Sequence, residues 1–390
     1  MKVVAAMDSF KGSISSMEAG EAVKRGILRV FPEAQVKVCP LADGGEGTVE
    51  ALTAGMGGRL HSIPVCGPLG EQVLCSYGIV ETDVPGGNKT AVIEMAGAAG
   101  LTLVPVERRD PCITTTFGVG EVIRDAVMQG CRRFIVGIGG SATNDGGAGM
   151  LQALGYAFLD EKGESIPAGA SGLKDLAGIR SDQVLPQLSE CSFRIACDVT
   201  NPLCGSQGCS AVFGPQKGAK QEQIGLMDEW LGHYAALVRK LCPHADPKKP
   251  GAGAAGGLGF AFQAFTNSTL ESGIRIVLEE TGLEQAIRNA DLVITGEGCL
   301  DAQTVMGKAP SGVAKLAKKY GKPVLAFSGC VTEDARSCNE NGIDAYFPIL
   351  RSIVTSEEAM EPERAGRNLT DTAEQVMRLL RNVVRNAPEQ

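Results

Sequence analysis

The residues best suited to chemistry fall in short polar or glycine-rich stretches. They are Asp8-Ser9-Phe10-Lys11-Gly12-Ser13, Ala42-Asp43-Gly44-Gly45-Glu46-Gly47, the run GGSATNDGG from Gly139 to Gly147, Cys197-Asp198-Val199-Thr200-Asn201-Pro202, Gly251 to Gly259, and the run from Thr295 to Lys308. Acids for a divalent cation, lysines for anions and glycine loops for phosphate oxygens make up a set suited to phosphoryl transfer. In that chemistry, positioning and charge neutralisation do most of the work.

Each stretch suggests a role. Asp8 suits a base or a metal partner, and Lys11 suits an anionic group. Asp43 sits where glycines permit close approach, which suits Mg²⁺. In GGSATNDGG the candidate phosphate ligands are Gly139, Gly140, Ser141, Thr143, Asn144 and Asp145, because loop amides and a helix start both favour an anion. Asp198 follows an apolar run, so partial desolvation is expected, and that suits a general base. Gly256 and Gly257 belong to a run that reads as a phosphate cover or a flexible joint. In the last stretch Glu297 and Asp301 are metal candidates, and Lys308 neutralises a phosphate or a carboxylate. Each stretch taken alone is also an ordinary turn or helix cap. Their recurrence at strand exits argues for a site.

Two familiar fingerprints are absent. Gly307-Lys308 is followed by Ala309 where a P-loop has Ser or Thr, and no G-x-G-x-x-G follows the first strand.

The elements that must position these residues follow from periodicity. Lys2–Met7 reads as a buried strand, and Ser15-Ser16-Met17-Glu18 as a capping box opening a helix with Val23, Ile27 and Val30 on one face. A strand at 36–41 and a helix marked by Val49, Leu52 and Met56 continue a parallel βα rhythm. From 59 to 103 the pattern changes to antiparallel strands at 61–65, 73–80 and 90–95, with a turn at Pro85-Gly86-Gly87-Asn88. A helix at 118–128 and strands at 133–138 and 193–196 follow. The βα rhythm resumes with strands at 291–295, 323–327 and 345–347 and a helical tail at 357–384, whose inner side is Ala373, Val376, Leu379 and Leu380. The expected fold is therefore α/β: a discontinuous, Rossmann-like parallel-sheet domain of residues 1–58 and 265–390, with an inserted α+β domain at 59–264. In a parallel sheet, functional groups collect beyond the carboxyl ends of the strands. This gathers Asp8, Asp43, Glu297 and Ser328 on one edge.

Bulk properties exclude several classes. The chain has 390 residues and a formal net charge of −8, with no basic run, so a nucleic-acid partner is not expected. No apolar run reaches the length of about 18 residues that reads as a membrane span. The thirteen cysteines include no C-x-x-C, and the three histidines show no zinc spacing. They read as reduced thiols filling apolar space, which implies a cytoplasmic protein. Glycine is in excess at 51 residues and clusters after apolar runs, as ligand-facing turns require.

In DSFKGS, ADGGEGT, GGSATNDGG, CDVTNPLCG, GAGAAGGLG and TGEGCLDAQTVMGKAP, taken in order over essentially the whole chain, the sequence resembles the bacterial glycerate kinases that look unlike other kinases. The resemblance implies ATP-dependent phosphorylation of D-glycerate with Mg²⁺, by two α/β domains with the site in the cleft between them. It favours 2-phosphoglycerate as product, with 3-phosphoglycerate as the alternative. The expected partners are D-glycerate and ATP, with a homodimer as the assembly. On chemical grounds Asp198 leads as base with Asp8 second, Asp43 and Glu297 hold Mg²⁺ with Asp301 nearby, and Lys11 and Lys308 neutralise charge. Two rivals from other classes are a non-catalytic glycerate or nucleotide sensor and a dinucleotide-dependent oxidoreductase.

Overall fold

Lys2–Met7 (β1) is buried at every position after the first, as a central strand covered on both faces must be. In the computed structural model, which describes residues 1–42, 44–81 and 87–385, β1 lies inside an all-parallel sheet. Its neighbours are Gln35–Val38 (β2) on one side and Leu292–Leu300 (β11) on the other, and Val324–Val331 (β12) and Ala345–Pro348 (β13) extend the sheet beyond β11. The helix Ser16–Leu28 begins at the expected capping box. Ser15 accepts from the Glu18 amide and the Glu18 carboxylate accepts from the Ser15 amide, which holds the Glu18 carboxyl below its usual range. Val23 and Ile27 pack into a core with Val3, Ala5, Met7, Leu369, Ala373 and Met377.

A second sheet has six strands in the order β10-β9-β6-β5-β4-β3. These are Arg59–Cys66 (β3), Gln72–Val80 (β4), Lys89–Glu94 (β5), Cys131–Gly137 (β6), Ser192–Ala196 (β9) and Asn267–Glu271 (β10). The pairs β3–β4 and β4–β5 are antiparallel, as expected from the sequence, and β5–β6, β6–β9 and β9–β10 are parallel. A two-stranded ribbon, Ala157–Leu159 (β7) with Gly178–Arg180 (β8), completes the strands. The chain divides into two compact units. One comprises Met1–Asp43, Ala54–Met56 and Ile274–Gln390, and the other Gly44–Thr53 and Gly57–Gly273. The sequence placed the later boundary at 265, ahead of β10, which pairs with β9 in the second unit.

Several elements differ from the sequence reading. Strand β11 runs nine residues to Leu300 and β12 eight to Val331, so Glu297 and Ser328 lie within paired strands rather than in exit loops. The glycines that suggested loops are absorbed because the neighbouring strands keep pairing. The helical tail is two helices, Ser356–Met360 and Pro362–Arg385. Pro362 cannot continue the first one. Leu379, expected on the inner face, is exposed, while Met377 is buried. The 21-residue helix Gln221–Leu241, not read from the sequence, buries Met227, Leu231, Tyr234, Ala235 and Val238. The expected turn residues Pro85 and Gly86, and the metal candidate Asp43, lie outside the described residues. No helix among the described residues is long and apolar enough to cross a membrane.

Candidate active site

Register fixes the first cluster. Met7 pairs with Gly296, Glu297 with Ser328, and Ser328 with Pro348. The ladder thus brings Asp8 beside Glu297 at the carboxyl edge, where the Asp8 amide donates to the Gly296 carbonyl at 2.8 Å. A cavity of about 530 Å³ opens there, and Asp8, Lys11, Glu297 and Lys308 all line it. Gly298 lies alongside Phe10 and Lys11, where an added Cβ would stand in ordinary contact, 3.5 Å from the Phe10 Cα.

Asp8 is only 6% exposed, and its Oδ1 accepts from the Ser9 amide at 2.7 Å. Glu297 is 7% exposed; its Oε1 accepts from the Thr304 hydroxyl at 2.7 Å and its Oε2 lies 3.6 Å from the Lys308 Nζ. Burial pushes the Glu297 carboxyl up, and the Thr304 hydroxyl and the Lys308 ammonium oppose the rise only in part. Asp301 does not line the cavity. Its Oδ1 accepts from Lys308 at 3.3 Å and from the Thr304 amide at 3.0 Å. Burial alone would raise the Asp301 carboxyl, yet Lys308 and the nearby donors hold it below its usual range. Burial would lower the Lys308 ammonium, but Glu297 and Asp301 together raise it. Lys308 is thus a protonated cation clamped between two acids. Ser328 is fully buried, accepting from the Leu300 amide and donating to the Cys330 carbonyl, so it braces the sheet.

The second cluster lies at the carboxyl edge of the second sheet, where Glu94, Gly137, Ala196 and Glu271 stand in register. Here the GGSATNDGG loop leaves β6. Gly139 and Gly140 are exposed, whereas every residue from Ser141 to Gly147 is buried. Gly137 must be glycine for packing reasons, because a Cβ there would sit 2.5 Å from the Gly44 carbonyl oxygen. The following helix, Ala148–Ala153, has six residues, and its first amides are already engaged. Gly147 and Gly149 donate to Asp145, and Met150 donates to the Thr116 hydroxyl. This differs from the expectation that the helix start receives an anion.

The expected phosphate ligands therefore separate. Asp145, 1% exposed, accepts four hydrogen bonds from Thr116, Gly147 and Gly149, and burial still pushes its carboxyl up against those donors. Asn144 donates to the Ser210 hydroxyl at 2.9 Å inside the core. Thr143, equally buried, offers its carbonyl to the Lys217 Nζ at 2.6 Å. Gly256 and Gly257, with φ of +65° and +93°, press on this loop from behind. The Gly256 carbonyl accepts from the Gly146 amide at 2.9 Å, and a Cβ on Gly256 would meet the Thr143 carbonyl oxygen at 2.0 Å. The stretch 251–259 is a turn leading into the buried helix Ala254–Phe265. Asp198, at the exit of β9, is exposed rather than partly desolvated, and its Oδ1 accepts from the Gly273 amide at 3.3 Å.

Two residues not singled out in the sequence act here. Lys217 is 2% exposed, and burial pulls its ammonium down to about 8. Glu94, at the end of β5, accepts from the Val49 amide at 2.7 Å, and burial lifts its carboxyl to about 7 despite that bond. An acid closing an alternating strand was a visible signal for Glu94. A lysine between Pro215 and Gly218 reads locally as surface, so Lys217 gave none.

Comparison with known proteins agrees with this chemistry. The sequence model described as the Glycerate kinase family matches residues 3–381. The chain is 49% identical over 378 residues to a protein of Escherichia coli (strain K12) named Glycerate 2-kinase, covering 95% of this chain and 98% of that one. It is 48% identical to the Glycerate kinase of Bacillus subtilis (strain 168), covering 93% of each chain. A crystal structure from Salmonella typhimurium LT2, carrying the name glycerate kinase 2, superposes with a TM-score of 0.89 at 45% identity and covers 99% of both chains. The chain belongs to the glycerate kinase family, whose members are phosphotransferases with an alcohol group as acceptor.

Proposed function

We propose that this protein transfers the γ-phosphoryl group of ATP to the 2-hydroxyl of D-glycerate, giving 2-phospho-D-glycerate and ADP. The cavity at the carboxyl edge of the parallel sheet carries the reading, because two buried acids and two lysines converge there on space for a small anionic substrate. The choice of the 2-hydroxyl is supported by the name of the Escherichia coli relative.

The residues take roles by their surroundings. Lys11 neutralises the glycerate carboxylate. Lys308, held as a cation by Glu297 and Asp301, meets the charge of the transferring group. A base takes the hydroxyl proton, the freed oxygen bonds to phosphorus, and the bond to the departing ADP oxygen breaks with its electron pair. Two carboxylates suit the base: Asp8, buried in the cavity, and Asp198, at the exit of β9. Gly139, Gly140 and Ser141 offer the accessible part of the glycine loop for phosphate oxygens. Among the described residues no cluster of three metal-ligating side chains occurs. The buried Glu297 carboxylate in the cavity wall is an oxygen donor of the kind magnesium takes, and it would hold the ion together with phosphate oxygens and water. Such an ion would neutralise phosphate charge.

The test is ³¹P NMR of the product from D-glycerate, ATP and Mg²⁺. A 2-phosphoglycerate signal is expected. A 3-phosphoglycerate signal would keep the kinase and overturn the choice of hydroxyl. A folded protein that forms no phosphate ester would overturn the transfer itself and favour a glycerate or nucleotide sensor.

A further inference from the structure

The cavity also holds two cysteines that phosphoryl transfer does not use. Cys299 on β11 and Cys330 on β12 are partners in the parallel ladder, each two residues past the Glu297–Ser328 pair. Neighbouring strands run about 4.8 Å apart, and a disulfide requires Cα atoms about 4.4–6.8 Å apart. Register partners project from the same face of a sheet. Here both side chains line the cavity with Asp8, Lys11, Glu297 and Lys308.

Accessibility sets this pair apart. Of the thirteen cysteines, all free thiols, Cys330 is the exposed one, and Cys299 beside it is half-buried. Cys330 thus meets solvent while Cys299 is partly shielded beside it, so one member is open to attack and the other stands next to it.

We propose that Cys299 and Cys330 form a vicinal dithiol that a peroxide converts reversibly to a disulfide, shutting down the cavity beside Glu297. The inhibitory consequence rests on the reading of this cavity as the place of phosphoryl transfer. The Cys330 thiolate attacks a peroxide oxygen, the O–O bond breaks, and the departing hydroxide leaves as water after taking a proton. The resulting sulfenic acid is attacked by the Cys299 sulfur. The S–O bond breaks, a second water leaves, and the S–S bond forms. Two thiols and one hydrogen peroxide thus give one disulfide and two waters. An exposed bridge of this kind belongs with the labile disulfides, which a dithiol reduces readily. Drawing the sulfurs to about 2.05 Å displaces the strand ends that carry Glu297, and a shift of about 1 Å at a catalytic group can cost on the order of a hundredfold.

The experiment treats the full-length chain with hydrogen peroxide, maps its peptides by mass with and without reductant, and measures glycerate phosphorylation. The expected result is a Cys299–Cys330 linkage lacking two hydrogens, a fall in kcat of about ten- to a hundredfold, and recovery with dithiothreitol. Cys299→Ser and Cys330→Ser should each stay within about twofold of their own untreated activity after peroxide, a difference small beside that fall. The proposal is overturned if the linkage does not form, if Cys330→Ser is inhibited as strongly as the wild type, or if the linkage forms with turnover unchanged. The peptide map reads the bridge without reference to activity. Failure of the transfer reading would appear separately, as an untreated chain with no turnover.

Discussion

The two polar clusters look alike in sequence and differ in what their charges face. At the edge of the parallel sheet, Asp8, Glu297 and Lys308 are part of a cavity wall. At the edge of the six-stranded sheet, Asp145 and Lys217 are turned inward and spent on backbone groups of Thr116, Thr143, Gly147 and Gly149. A charged group at a strand exit can act on a ligand or hold a loop in shape. Burial and hydrogen-bond partners decide which. Substitutions of Asp8, Glu297 and Lys308 should reduce turnover and leave stability nearly intact, and those of the inward-turned residues of the second cluster, Asp145 and Lys217, and of Gly256 behind them should do the reverse.

The largest effect expected is on turnover. Whichever of Asp8→Asn and Asp198→Asn removes the base should lower kcat by about 10²–10⁴ with an unchanged circular dichroism spectrum. The steady-state comparison of the two assigns the role, and near-wild-type kcat in both would break the contrast. Lys308→Met should come next, with kcat/KM down by on the order of a hundredfold and Tm little changed. Loss of its cation should also raise the Glu297 carboxyl further, visible as a shift of the acid limb of the pH–rate profile to higher pH.

The second cluster should answer in stability. Gly256→Ala places a methyl 2.0 Å from the Thr143 carbonyl oxygen at a φ of +65°. Unfolding in denaturant should show a loss of about 2–3 kcal/mol, and an unaltered midpoint would mean that the turn does not brace the loop. A further effect on stability concerns pH. The Glu94 carboxyl rises from 4.5 to about 7 on folding, so the folded state binds its proton more tightly. That contribution is complete below pH 4.5 and is lost as pH rises through 7. Relative to Glu94→Gln, the wild type should lose up to about 3 kcal/mol across this window. Parallel stability curves for the two proteins would remove Glu94 from the account.

Much of the first cluster was legible because it depends on local order. An apolar strand followed by a polar exit, repeated in a βα rhythm, identifies Asp8 and Glu297 as neighbours once the sheet is parallel. The second cluster was legible only as a loop. That Thr143, Asn144 and Asp145 point inward depends on Lys217, Ser210 and Thr116 respectively, which come from other parts of the chain. Asp198 was expected to be partly desolvated from the apolar run before it, but it stands two residues beyond the end of β9 at Ala196 and is exposed, whereas Asp8 directly follows β1 and is buried.

The sequence by itself determined the α/β class, the antiparallel run after residue 59, the capping box at Ser15 and the family motifs. These rest on period, capping and residue type, which are local properties of the chain. The tertiary structure alone decided that β11 and β12 continue past their glycines, that Cys299 and Cys330 stand side by side, and that Lys217 lies beneath the glycine loop. Register and burial are set by residues far apart in sequence, and no local pattern carries them.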